Sequence, residues 1–108
     1  MAFKVVFLAH ALDAELEKDR SLVETSTYKL FSIVVKNQVQ AVEECKKLVK
    51  EEGIHSVLLC PGFSDKNVAE ITEAVGENVG VAVARGDSPG RRVPAEVRIR
   101  AYTSKNGD

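Results

Sequence analysis

The chain has 108 residues, 44% of them hydrophobic and 29% charged, with a formal net charge of −1. That length suits one core of ordinary domain size and excludes two full domains. The near-neutral balance gives the whole chain no pull toward nucleic acid or an anionic membrane.

The first apolar run, Phe3–Ala9, is too short for a signal peptide or a membrane span and reads as a buried strand. Residues 11–29 are harder to place. Asp13-Ala14-Glu15-Leu16-Glu17-Lys18 favours a helical turn or two, and the polar stretch Glu24-Thr25-Ser26-Thr27 follows. A helical crossover there would put the first strand in the same parallel sheet as the rest; a loop would allow an antiparallel pair. The second apolar run is Leu30–Lys36. A helix comes next, with Asn37 as its cap and Gln40 as capping-box partner. Val39, Val42, Cys45, Leu48 and Val49 are expected on its inner stripe, and Gly53 at its end.

Ser56–Cys60 is the third run. A second helix, capped by Ser64 or Asp65, carries Val68, Ile71 and Val75 inward and stops at Gly76. Val79–Ala84 is the fourth run. Beyond it, Val97, Ile99 and Ala101 alternate with Arg98, Arg100 and Tyr102 like an edge strand, whereas Pro94-Ala95-Glu96 suits the first turn of a helix. All four runs are continuous rather than alternating, as in strands covered on both faces. The expected fold is α/β: a small open, mostly parallel four-stranded sheet with flanking helices, resembling half of a Rossmann or flavodoxin domain, in two or three layers. One domain spans 1–108, with a basic extension over 88–108.

Charge is concentrated at that end. Residues 1–84 hold 9 basic and 13 acidic side chains, against 6 and 3 in residues 85–108. Arg91, Arg92, Arg98 and Arg100 would meet RNA or an acidic partner, but only Tyr102 and Phe63 are at hand to stack on bases, so a nucleic-acid role is not expected. Two cysteines make no disulfide framework, and reduced thiols in a cytoplasmic protein are the expectation.

In a parallel sheet, ligands bind beyond the carboxyl ends of the strands. His10, Cys60-Pro61-Gly62-Phe63-Ser64-Asp65 and Arg85-Gly86-Asp87 follow the first, third and fourth strands, so one sheet edge collects them. Cys60, just before a helix N-terminus, is the candidate nucleophile, with His10 as its base. Buried packing is the commoner fate of such a cysteine. Cys45 belongs to the core, and His55 lies at the wrong end of its strand. Gly62, Phe63, Ser64, Arg85 and Asp87 are the candidate ligand contacts. Gly62 matches neither the dinucleotide fingerprint nor the phosphate-binding P-loop, and Asp65 would repel an anion at the cap. No cofactor and no metal are expected.

The stretches Tyr28-Lys29-Leu30-Phe31, Glu52-Gly53-Ile54-His55-Ser56-Val57-Leu58-Leu59-Cys60-Pro61-Gly62-Phe63 and Glu73-Ala74-Val75-Gly76-Glu77-Asn78-Val79-Gly80-Val81-Ala82-Val83-Ala84-Arg85-Gly86-Asp87 resemble a family of small uncharacterised prokaryotic proteins, a domain of unknown function. The resemblance runs from about His10 to Asp87 and leaves out the arginine-rich tail. It implies a free-standing single-domain protein and brings no activity or catalytic residue. Two functional expectations remain. One is a small-molecule-binding domain, enzyme or not, that takes a polar ligand at the strand carboxyl ends. The other is a non-catalytic homo-oligomeric interaction or regulatory module. No membrane partner is expected.

Overall fold

A computed structural model describes residues 1–85, 96–97 and 99–101. The apolar runs become β1 (Phe3–His10), β3 (Tyr28–Val35), β4 (Ser56–Leu59) and β5 (Gly80–Val83); β2 (Arg20–Glu24) is an addition to them. The sheet order is β2-β3-β1-β4-β5. β1 runs parallel to both β3 and β4, β4 runs parallel to β5, and β2 alone is antiparallel, on β3.

Both alternatives for residues 11–29 were incomplete. β1 and β3 are parallel, yet no helix joins them. The chain turns at Ala11–Asp19 through short bonds such as Ala14 N–H to Ala11 C=O (3.1 Å) and Asp19 N–H to Glu15 C=O (2.8 Å). It then forms a hairpin with β3. Thr25 closes the hairpin, its Oγ1 accepting from the Thr27 and Tyr28 N–H groups. All five β2 residues are exposed. An edge strand whose residues are all exposed leaves no apolar pattern to read.

α1 (Gln38–Glu52) begins at Asn37, whose side chain accepts from Gln40 N–H, and ends at Gly53 in the left-handed conformation (φ 65°). Gln40 Oε1 reaches back to Lys36 N–H at 2.8 Å, so the capping pair forms one residue earlier than its usual geometry. Its buried residues are Ala41, Glu44, Cys45 and Leu48. Val39 corrects the expected stripe. At 100° per residue it sits about 200° from Ala41, on the outer side, and is 64% exposed. α2 (Asp65–Val75) has Ser64 as its cap and buries Ile71 and Val75.

Register sorts the strand side chains into two faces. Val6 pairs with Phe31 and Val57, and Leu8 with Ile33 and Leu59. These residues share one buried cluster with Ala41, Cys45, Leu48, Ile71 and Val75 of the helices. The two helices also touch, Gln38 Nε2 donating to Asn67 C=O at 3.1 Å. Two crossovers that step the same way along a sheet and share one hand must lie on one side of it, so α1 and α2 lie on one face. Register turns Val5, Leu30 and Leu58 to the other face, where Val5 is 8% exposed.

At the far end, Glu96, Val97 and residues 99–101 are helical, so the helix expected from Pro94-Ala95-Glu96 replaces the alternative edge strand. Pro94 itself, Gly86, Asp87, Arg91, Arg92, Arg98 and Tyr102 lie outside the described residues.

Candidate functional site

β1, β4 and β5 are parallel neighbours, so their carboxyl ends lie side by side. Cys60 N–H donates to Leu8 C=O (2.9 Å) and Ala84 N–H to Leu59 C=O (2.8 Å), carrying the ladder one step past β4 and β5. Extending the register puts His10, Pro61 and Arg85 level with one another. β1 leaves this edge toward β3, whereas β4 leaves it toward β5, so the connections part between β1 and β4. That is the topological switch point where open α/β sheets hold their ligands.

His10 stands at this point. Its ring lies 4.0 Å, centroid to centroid, from that of Phe63 and is tilted by 31°. Phe63 is buried at 1% exposure and belongs to the core, so it acts as a fixed floor for the imidazole. Burial disfavours the imidazolium and lowers the His10 pKa from its ordinary value. At neutral pH His10 is therefore uncharged, able to accept or donate a single proton.

The first turns of both helices meet the same edge. Ser64 Oγ accepts from Asn67 N–H at 3.2 Å, and Asn67 C=O receives Gln38 of α1. Gln38 Oε1 is buried and has no hydrogen-bond partner among the described residues. Sequence reasoning missed Gln38 and Asn67, since neither stands in a motif; their meeting depends on how α1 and α2 pack. Arg85 Nη2 reaches Asp65 Oδ1 at 3.1 Å, from β5 to the first turn of α2. Both groups are largely in water, so this pair orients Arg85 more than it stabilises the fold. It also offsets the negative charge that Asp65 places beside the α2 cap.

No left-handed backbone conformation requires glycine at position 62. The positive-φ glycines among the described residues are Gly53 and Gly76, and a Cβ built on Gly62 would lie 3.5 Å from Cys60 Sγ, an ordinary contact. Cys60 itself is partly exposed while Cys45 is buried. Desolvation, aided by the neighbouring Glu44 charge, pushes the Cys45 thiol up to about 12. Alkylation of the folded protein at pH 8 should therefore label Cys60 and spare Cys45, as read by peptide mass spectrometry. Equal protection of both would remove Cys60 from the site. His55, at the amino end of β4, is engaged in structure: its Nδ1 accepts from Lys4 N–H at 3.0 Å and its ring stacks on Phe3.

The model of a family of unknown function, DUF6506, matches residues 3–97. The chain belongs to that family. The DUF6506 match extends beyond the quoted stretches at both ends, taking in all of β1 and Arg91 and Arg92 of the basic extension. No curated protein and no solved structure matches the chain. Among the described residues of this DUF6506 chain, no helix is long and apolar enough to cross a membrane.

Proposed function

We propose that the protein binds a small polar ligand, uncharged or carrying one negative charge, at the carboxyl ends of β1, β4 and β5. The observation that carries this reading is His10 held on the buried Phe63 ring at the point where the chain connections diverge. A neutral imidazole there offers directional hydrogen bonding, and two helix N-termini add partial positive charge. Arg85, level with His10, is shared with Asp65, while Lys36 follows β3 and Lys66 lies in the first turn of α2. With Arg85 so engaged and His10 uncharged, a carboxylate or a hydroxylated compound fits better than a polyphosphate.

Amide spectra of the full chain, titrated separately with lactate, inorganic phosphate and glycerol, test the proposal. Lactate or glycerol should move the signals of Ala11, Cys60 to Ser64 and Arg85, and phosphate should do so least. Arg85→Ala and Cys60→Ala should each weaken the response by about tenfold, near 1.4 kcal/mol. Shifts confined to other surfaces, or variants that respond like the parent, would place the site elsewhere.

A further inference from the structure

A cleft of about 440 Å³ opens on the sheet face turned away from the helices, toward the carboxyl ends of β1 and β3. Phe7, Ala9 and Val34 give it an apolar floor. Ser21 and Ser32, directly opposed across β2 and β3, add two hydroxyls. Asp13 and Asp19, from the turns between β1 and β2, form a wall. Small-molecule sites have this volume and this make-up, an apolar lining with a few fixed polar groups.

The wall is tied down at both ends. Ala11 N–H donates to Val35 C=O (3.0 Å), and Val34 N–H donates to Asp19 C=O (3.0 Å), so the turns are anchored to β3 on either side. Asp19 is also held twice to Glu15. Its N–H donates to Glu15 C=O (2.8 Å), and its Oδ2 accepts from Glu15 N–H (2.8 Å). Its other carboxylate oxygen makes no such bond among the described residues, and Asp19 is half-buried. A carboxylate fixed beside an apolar floor gives up little freedom on pairing and is screened less than one in open water.

The charge around the cleft is negative. Residues 11–19 carry Asp13, Glu15, Glu17 and Asp19 against Lys18. Arg20 also lines the cleft, but its guanidinium is committed to the Glu44 carboxylate of α1 (2.6 Å) and to Leu16 C=O (3.4 Å), so that pair adds no net charge.

We propose that this cleft binds a small organic cation, an amine with a compact hydrocarbon or aromatic body. The ammonium pairs with Asp19 and Asp13, and the body lies on Phe7, Ala9 and Val34. An anion would meet two carboxylates. A neutral molecule of the same shape would strip water from Asp19 and return no charge to it. His10 packs on Phe63 within the helix-side core, so the cleft is a separate site and neither reading depends on the other.

Amide spectra of the full chain at neutral pH and low salt test the proposal, with phenethylamine, 2-phenylethanol and phenylacetate as probes. The three share one ring and chain and carry a positive charge, none and a negative charge. Phenethylamine should move the signals of Asp19, Ser21 and Ser32 and bind at least about tenfold more tightly than 2-phenylethanol, with phenylacetate weakest. Asp19→Asn keeps an oxygen for Glu15 N–H and removes the charge. It should weaken phenethylamine by about tenfold and leave 2-phenylethanol unchanged. Ser32→Leu should fill the cleft and abolish the phenethylamine response, with the far-ultraviolet spectrum showing that both variants are folded. The parent's own response to the three probes decides the matter even if a variant does not fold. Equal binding of the three, no response to phenethylamine at about 10 mM, or shifts gathered at Cys60 to Ser64 would overturn the proposal. So would a folded Asp19→Asn that binds phenethylamine like the parent.

Discussion

Phe63→Ala is expected to lower the unfolding free energy by about 3–5 kcal/mol, the usual cost of deleting a fully buried ring. Phe63 is 1% exposed and lies between the helix-side core and the His10 imidazole, so the cavity would open directly beneath the candidate site. A second effect separates this role from bulk packing. In the parent protein the folded-state pKa of His10 is depressed by burial. The folded protein thus binds that proton less readily than the unfolded chain, whose histidine titrates near ~6.5. The resulting stability is present above that pH and is lost as pH falls through the lower folded value. With the ring gone, water reaches the imidazole, the depression shrinks and the loss on acidification becomes smaller. Urea unfolding at pH 7.5 and pH 5.5, for the parent and the variant, measures both effects. A loss under 1 kcal/mol would mean that Phe63 is not a floor, and an unchanged pH dependence would mean that His10 owes its environment to other groups.

Arg20→Ala is expected to cost about 2 kcal/mol through a group no motif announced. Arg20 Nη2 donates to Glu44 Oε1 at 2.6 Å, and the Glu44 side chain is 5% exposed while that of Arg20 is 31% exposed. Removing one partner of a fully buried pair costs ~3–5 kcal/mol, because the other is left charged in a poor solvent; the partial exposure of Arg20 argues for less. Arg20 also donates to Leu16 C=O at 3.4 Å, so the same side chain ties β2, the preceding turns and α1 together. The compensated double variant Arg20→Met with Glu44→Leu should recover most of the loss, since apolar isosteres need no partner. Chemical denaturation of the two single variants and the double variant forms the cycle. A cost below 0.5 kcal/mol for Arg20→Ala would reduce the pair to a surface contact.

Four strands and both helices were legible because their signals are local. Continuous runs of Val, Leu and Ile report burial, Asn37 and Ser64 satisfy free N–H groups, and Gly53 and Gly76 adopt the positive φ that ends each helix. The carboxyl-end edge was legible for the same reason. Once the strands are parallel, His10, Cys60 and Arg85 must come to one side. Val39 was misplaced because an apolar residue early in a helix looks inward until the helical phase is anchored by neighbours farther along.

β2 was invisible for the opposite reason. Leu22 and Val23 sit among polar residues, and their strand conformation comes from hydrogen bonds to β3 rather than from their own pattern. The amino-acid sequence by itself determined the class of fold, the caps of both helices and the set of residues brought to the carboxyl edge, since propensity, burial pattern and capping act over a few positions. The tertiary structure alone decided the strand order, the placement of both helices on one face, the His10–Phe63 and Gln38–Asn67 contacts and the Arg20–Glu44 pair. These join groups far apart in the chain, and their energy depends on a geometry that exists only after the layers have packed.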